Sequence, residues 1–188
     1  MKPRISVRCL CLTALGIGIN LVCAFISMSL KIPLYMDSIG TIFIAALLGP
    51  RYGMAAGLLG SILSGITFDI YSLYYAPVQI LTACTAAAVM HSRWSSGGRM
   101  LLGGVMVSLP TSLASAMITA FVFGGQTAAV TSYVIVLLHE LGMSLTLSCF
   151  LVQILTEYLD KLAAMVLVKT ALNKGVYRIY GTIQPHHQ

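Results

Sequence analysis

Apolar runs of membrane-crossing length follow one another along almost the whole chain, and short polar turns separate them. About 20 apolar helical residues are needed to cross the hydrocarbon core of a bilayer. Only 9% of the 188 residues are charged, against about 25% in an ordinary soluble domain. The chain is therefore interpreted as an all-α integral membrane protein with a single domain, residues 1–188. Six transmembrane helices are predicted, at about residues 9–30, 38–49, 53–68, 77–91, 100–123 and 149–172.

Basic residues predict how these helices are oriented. Lys2, Arg4 and Arg8 precede the first run, and Arg51 lies in the tight turn after the second run. Cytoplasmic segments of membrane proteins are enriched in Lys and Arg, so both the N-terminus and this turn are expected in the cytoplasm. Residues 124–148 are interpreted as an outer-face loop containing a helix or lid, because a further crossing would carry the basic C-terminal segment outward. Both termini are then cytoplasmic.

The two turns expected on the outer side carry residues typical of a ligand site. These candidates are Tyr35, Met36, Asp37, Asp69, Tyr71, Tyr74 and Tyr75. Tyrosines offer flat faces and hydroxyls, and carboxylates accept strong hydrogen bonds. The alternatives are a belt of interfacial tyrosines and aspartates that cap helices. The second span is only about 18 Å long as a helix, so it either begins in the preceding turn or leaves a cavity at its outer end.

Further candidates are charged or titratable residues in the second half of the chain. His139 and Glu140 lie in the predicted lid, and Glu157, Asp160 and Lys161 lie in the last span. Glu157 and Lys161 have the four-residue spacing of a helical ion pair. Charges at membrane depth usually mark a ligand contact, a partner or a pathway. The alternatives are that this end of the last span simply reaches the membrane surface, and that His139 and Glu140 are structural or exposed.

Small residues at a spacing of four indicate close helix contacts. Ala14 and Gly18 share one face of the first span, and Gly57 and Ser61 share one face of the third. In lipid, such faces let helices approach closely enough to pack. Each pair is interpreted as a docking face for a separate protein, with ordinary intramolecular packing as the alternative.

Other functional classes receive little support from the sequence. The five cysteines have no paired spacing and are interpreted as packing residues, so no metal site and no permanently bound cofactor are expected. The net charge of +6 is dispersed along the chain, which gives no indication of nucleic-acid binding. No Walker A, HExxH or Gly-x-Ser-x-Gly motif is present, so the chain is not expected to be an enzyme. A stand-alone secondary transporter, a membrane sensor domain and an intramembrane enzyme using the Asp37/Asp69 or His139/Glu140 pairs remain alternatives.

Two blocks of sequence carry a resemblance to a transport family. Residues 33–50, PLYMDSIGTIFIAALLGP, and residues 52–57, YGMAAG, resemble the substrate-binding S-components of energy-coupling factor (ECF) vitamin transporters. The segment EYLDK at 157–161 is similar as well. The resemblance implies a six-helix bundle with a cytoplasmic N-terminus and a vitamin site near the outer face. In that family the first, third and fifth loops close the site.

The resemblance also implies partners and a location. S-components lie in the bacterial plasma membrane and dock onto a shared transmembrane coupling subunit through an Ala-x-x-x-Ala motif. The corresponding pair here is Ala14 and Gly18, so glycine replaces the second alanine. Two ATPase subunits then drive the docked component to topple and deliver its vitamin inward. Cobalamin is the first choice of substrate. A pyridoxine-type vitamin, riboflavin, thiamine and a queuosine precursor are the alternatives.

Overall fold

The computed structural model describes residues 6–126 and 131–176, which are almost entirely helical. Lys2, Arg4, four residues of the predicted lid (127–130) and the C-terminal residues 177–188 lie outside the described ranges. The described residues form α1 (Val7–Ser29), α2 (Ile39–Leu48), α3 (Pro50–Thr67), α4 (Tyr71–Tyr74), α5 (Ala76–Met90), α6 (Arg99–Phe121), α7 (Thr131–Glu140) and α8 (Leu145–Ala171). A 3-10 turn follows α5 at Arg93–Ser95, and a π-helical turn follows α8 at Leu172–Val176.

Two of these helices, α1 and α6, have the length and hydropathy of membrane-crossing segments. Each contains 23 residues. Large apolar side chains lie exposed along both, among them Leu10 and Phe25 on α1 and Leu109 and Leu113 on α6. Contiguous apolar surface of this kind is unusual on a soluble monomer and typical of a surface that contacts lipid or a partner. The described chain is therefore all-helical and compatible with a membrane environment.

Helix α2 ends in the reversal predicted at residues 49–53. Gly49 has a φ of 93°, which terminates α2, and Pro50 occupies the first turn of α3, where its missing N–H has no helical partner to lose. Helix α2 contains 10 residues and is about 15 Å long. It is therefore the shortest of the helices that pack in the centre of the bundle, and it leaves room at its N-terminal end.

Helices α1 and α2 cross with their backbones in contact. A Cβ atom added to Gly40 would overlap the carbonyl oxygen of Gly16, and one added to Gly16 would overlap the side chain of Ile44. Gly18, on the other face of α1, has no atom within 4 Å of the position of an added Cβ, and Ala14 is exposed. The first predicted docking pair therefore faces outward, while the neighbouring glycine of α1 supports the internal contact.

The second predicted docking pair lies inside the bundle. Ser61 is 5% exposed, and an added Cβ on the buried Gly57 would lie 2.9 Å from Gln79 and 3.0 Å from Thr41. Gly57 and Ser61 thus let α3 pack closely against neighbouring helices. Their position agrees with the alternative of ordinary packing within the chain, and not with a docking face for a separate protein.

Helix α8 begins earlier than the predicted sixth span and carries its three charged residues towards the interior. Glu157, Asp160 and Lys161 are 7%, 3% and 2% exposed. These three side chains are therefore enclosed by the bundle itself. Their burial requires ionic and hydrogen-bonding partners within the bundle.

Helix α7 is the helix that was predicted within residues 124–148. It packs against the ends of α6 and α8 through Ile135, which is buried among Ala116, Ala120, Cys149 and Val152. Gly142, with a φ of 94°, separates α7 from α8. The result is a short helix packed against the end of α6 and the start of α8.

The largest apolar cluster lies at the opposite end. It joins Leu47 near the end of α2, Met90 at the end of α5 and Leu172 after the end of α8. The turns that carry Arg51 and Arg93 lie at this end, because α2 and α5 both finish there. The two aspartate-bearing turns meet at the other end of the bundle, as the hairpin pattern predicts.

Candidate ligand site

A cavity of about 260 Å³ lies at the end of the bundle that holds the two aspartate-bearing turns. Its walls are the end of α1, the turn that follows it, the turn around α4 and the start of α7. The lining residues are Ala24, Ser27, Met28, Lys31, Ile32, Pro33, Leu34, Tyr35, Asp37, Phe68, Asp69, Ser72, Thr131 and Tyr133. A narrow recess of about 20 Å³ shares Tyr35, Asp37, Asp69 and Ser72 with the cavity. The remaining walls of the recess are Tyr75, Val78, Gln79, Ser115, Gln153, Glu157 and Lys161.

The turn that closes α1 is shaped by a helix-ending motif. Lys31 has a φ of 52°, its N–H donates to the Met28 carbonyl at 3.1 Å, and the Ile32 N–H donates to the Ser27 carbonyl at 2.9 Å. This is the hydrogen-bond pattern of a Schellman cap, in which Lys31 takes the left-handed position usually held by glycine. Ser27 also donates through its hydroxyl to the Leu34 carbonyl. The turn therefore folds back over the end of its own helix and forms one wall of the cavity.

A buried charged cluster, made of Glu157, Asp160 and Lys161 together with Ser38, fixes this turn to α8. Lys161 Nζ lies 3.0 Å from Asp160 Oδ2, 3.0 Å from Ser38 Oγ and 3.1 Å from Glu157 Oε2. Asp160 also accepts hydrogen bonds from the Met36 N–H at 2.8 Å and from Ser38 Oγ at 3.1 Å. Met36 has a φ of 52°, which directs this N–H towards the carboxylate. Asp160 and Met36 thus position the turn and do not line the cavity.

Glu157 connects the charged cluster to the recess. Its Oε1 accepts a hydrogen bond from Ser115 Oγ at 3.0 Å. Its Oε2 faces Lys161 as an ion pair but accepts no hydrogen bond from the described residues. The predicted pair between Glu157 and Lys161 is therefore present, and one carboxylate oxygen retains hydrogen-bonding capacity at the wall of the recess.

A second buried polar network links α1 to the floor of the site. Asn20 Oδ1 accepts from the N–H groups of Gly40 at 2.7 Å and Thr41 at 3.2 Å, which lie in the first turn of α2. Asn20 Nδ2 donates to Thr41 Oγ1 at 2.8 Å, and Thr41 donates in turn to Gln79 Oε1 at 3.0 Å. Gln79 Nε2 reaches the carbonyl of Asp37 at 3.4 Å. Asn20 thus acts as the N-terminal cap of another helix.

Sequence reasoning did not single out Asn20, Gln79 or Gln153. One feature of the sequence could have identified them: amide side chains are uncommon within apolar runs, and they must find hydrogen-bond partners there. Gln153 donates to Thr119 Oγ1 at 3.0 Å. The same threonine pairs with the Tyr75 hydroxyl at 2.6 Å.

The predicted aromatic residues divide into two groups. Tyr35 and Tyr75 line the recess, with ring centroids 6.3 Å apart. Tyr71 and Tyr74 pack edge-on against Phe123 at 4.9 Å and 5.1 Å, and neither lines the cavity. Burial raises the pKa of the Tyr75 hydroxyl, which therefore stays protonated. Phe123, which the sequence analysis did not identify, forms the centre of an aromatic cover beside the site.

Asp69 combines both of the roles considered for it. Its Oδ1 accepts from the Tyr71 N–H at 3.2 Å, and its Oδ2 accepts from Ser72 Oγ at 3.0 Å. These contacts cap the short helix α4. Asp69 also lines both the cavity and the recess, so its carboxylate is held in position at the wall.

His139 and Glu140 lie away from the cavity. Both are exposed at the C-terminal end of α7, and His139 Nδ1 lies 2.9 Å from the Met143 carbonyl oxygen. Their position agrees with the alternative that these two residues are structural or exposed, and neither lines the cavity. Within residues 6–126 and 131–176, no three His, Cys, Asp or Glu side chains are grouped so that they could hold a metal ion.

Burial raises the pKa of the Asp37 carboxyl from its usual 3.8 to about 6. The Lys161 ammonium opposes this rise, and the Asp160 and Glu157 carboxylates increase it. Like Lys161, a hydrogen bond from the Gln79 side chain opposes the rise in this pKa. Asp37 is therefore a carboxyl group at the cavity wall whose charge changes near pH 6.

This pKa predicts a pH dependence of stability. A carboxyl group with a raised pKa binds its proton more tightly in the folded state, so its contribution is greatest below pH 3.8 and is lost as the pH rises to about 6. We expect Asp37→Asn to remove this loss of unfolding free energy. At about 1.4 kcal/mol per pKa unit, the loss is at most about 3 kcal/mol. Thermal unfolding of the purified protein across this pH range measures the effect, with Glu140→Gln as the control. A decline in Asp37→Asn as steep as in the unaltered chain would contradict the assignment.

The site as a whole offers carboxylate oxygens, amide groups and two tyrosine rings around a cavity at one end of an apolar bundle. Such a mixture of apolar walls and a few oriented polar groups is typical of small-molecule sites. Searches of protein-family models, of curated proteins and of solved structures find no match to this chain.

Proposed function

We propose that this chain is the substrate-binding S-component of an ECF-type vitamin transporter in the bacterial plasma membrane. Six of its helices, α1, α2, α3, α5, α6 and α8, cross the membrane in this proposal, and both termini are cytoplasmic. The basic turns then lie on the inner side, as the positive-inside rule favours. Helix α7 lies across the outer end.

The observation that carries the proposal is the convergence of carboxylates on one cavity. The chain has five Asp and Glu residues in total. Asp37, Asp69 and Glu157 line the cavity or its recess, and Asp160 holds the adjoining turn. Burial of charge in an apolar bundle is costly, and a ligand site is the use that accounts for several charges being placed together.

The size of the cavity bears on the choice of vitamin. A volume of about 260 Å³ lies just below the roughly 300–1,000 Å³ typical of sites for drug-sized ligands. A compact one- or two-ring vitamin, such as a pyridoxine-type vitamin or thiamine, suits this volume best. Cobalamin, the first choice from sequence, requires the turn after α1, the turn around α4 and the lid to move apart.

Helix α1 is the proposed docking helix for the coupling subunit. Much of its surface is exposed, and Ala14 and Gly18 lie on an outward face where another helix can approach closely. ATP hydrolysis is assigned to two ATPase partner subunits. The present chain binds the vitamin and changes its orientation in the membrane.

The experiment separates binding from delivery. We expect the purified chain to be stabilised by one small vitamin in a thermal-shift screen, and to co-purify with a coupling subunit and two ATPases from its native host. Gly18→Leu is expected to abolish uptake and co-purification while vitamin binding stays within about twofold, because its added side chain projects outward. Gly18→Ala, which adds little volume, is the matched control.

Two outcomes would reject this proposal. One is the absence of binding by every vitamin in the screen, including cobalamin. The other is energy-independent uptake by the chain alone in proteoliposomes, without ATPase partners.

A proton-coupled secondary transporter is the second candidate, and the observation that favours it is Asp37. A carboxyl group that titrates near pH 6 at a cavity wall can couple the movement of a proton to that of a ligand. This alternative predicts uptake by the chain alone that follows an imposed pH gradient and is lost in Asp37→Asn.

A further inference from the structure

The charge balance of the recess constrains the ligand beyond its size. Glu157, Asp160 and Asp37 surround a single ammonium group, that of Lys161. Lys31 lines the outer cavity but is exposed to solvent, where its charge is screened. The buried end of the site therefore carries an excess of negative charge.

The hydrogen-bonding groups of the recess show the same bias. Lys161 Nζ already lies within 3.1 Å of three oxygen atoms from Ser38, Asp160 and Glu157. An anionic ligand would have to compete with all three. Glu157 Oε2 is one of these three oxygens: it is buried and faces Lys161 as an ion pair, and it accepts no hydrogen bond from the described residues.

Two tyrosine rings complete the environment. Tyr35 and Tyr75 stand side by side at the recess, with their ring planes inclined at 43°. The electron-rich face of a tyrosine attracts a cation within about 6 Å of its centroid. The rings can also pack against a flat heteroaromatic ligand.

We propose that the ligand of this site is a compact heteroaromatic molecule carrying a positive charge, which it presents to Glu157 and Asp37. A protonated amine or a positively charged ring nitrogen would supply the donor or charge that the recess lacks. This inference rests on the proposed capture of a small vitamin and narrows it to the cationic members of that class.

The test uses probes that differ in charge. Binding to the purified chain at pH 7.5 is measured by calorimetry for thiamine and pyridoxamine as cations, riboflavin as a neutral probe and pantothenate as an anion. We expect a cationic probe to bind at least tenfold more tightly than every neutral or anionic one. Asp37→Asn and Glu157→Gln are each expected to lower the affinity for that probe at least tenfold. Glu140→Gln, which changes a carboxylate outside the site, is expected to leave the affinity unchanged.

The outcomes distinguish this inference from the function on which it rests. Tightest binding by a neutral or anionic probe, or by cobalamin, would overturn the cationic assignment and leave vitamin capture standing. So would a cationic probe whose affinity is unchanged in Asp37→Asn, a variant that leaves the ion pairs of Lys161 with Glu157 and Asp160 in place. Failure of every vitamin to bind would reject the proposed function itself.

Discussion

Lys161→Ala is expected to lower the free energy of unfolding by about 3–5 kcal/mol, the cost of removing one member of a buried ion pair. The substitution would leave Glu157 and Asp160 buried in the same cluster without their shared cation. It would also remove the attraction that opposes the rise in the pKa of Asp37. Because Asp160 holds the Met36 N–H and Ser38, the turn after α1 should loosen at the same time.

Chemical or thermal unfolding in detergent measures this effect, and Lys169→Ala is the matched control on the same helix. Lys169 makes a single partly buried hydrogen bond to Ser95 at 3.3 Å, so its loss should cost about 1 kcal/mol. Equal destabilisation by the two variants would contradict the view that the charged cluster holds this end of the bundle together. A triple substitution, Glu157→Gln with Asp160→Asn and Lys161→Met, should recover part of the loss, because it leaves no unpaired charge.

Gly40→Ala is expected to destabilise the fold by about 3 kcal/mol, at the upper end of the usual cost of overpacking. The added methyl group would overlap the backbone carbonyl of Gly16, and backbone cannot rotate away as a flexible side chain can. Helices α1 and α2 would have to separate, which would also draw Asn20 away from the first turn of α2. The N–H groups that Asn20 caps would then lose their partner.

Gly18→Ala provides the comparison on the outer face of α1. No atom lies within 4 Å of its added Cβ, and alanine favours a helix over glycine by roughly 0.5–1 kcal/mol. We therefore expect this variant to be neutral or slightly stabilised when the melting temperatures are compared. If Gly40→Ala melted as high as Gly18→Ala, the close crossing of α1 and α2 would be refuted.

Part of the site was predictable because it lies in turns. Tyr35, Asp37, Asp69 and Tyr75 were identified as polar or aromatic residues in short breaks between apolar runs, and all four line the recess. An alternating hairpin path brings every second turn to the same end of a bundle, so their proximity follows from the order of the runs. Tyr71, Tyr74, His139 and Glu140 met the same criteria and lie outside the cavity, because which way a turn residue points depends on its neighbours in space.

The sequence by itself determined the apolar helices and their short connections, since long apolar runs alternate with polar turns and only 9% of the residues are charged. It also determined that the polar turns gather, because alternate turns return to the same end of the bundle. Only the tertiary structure decided which glycines touch another helix and which face outward, as Gly16 and Gly18 show. It also decided that Asn20 caps α2 and that Asp160 holds the turn after α1 through the Met36 N–H. The physical reason is that a buried polar group is stabilised by whatever partner the packing brings to it, and that partner lies on another helix, far away in sequence.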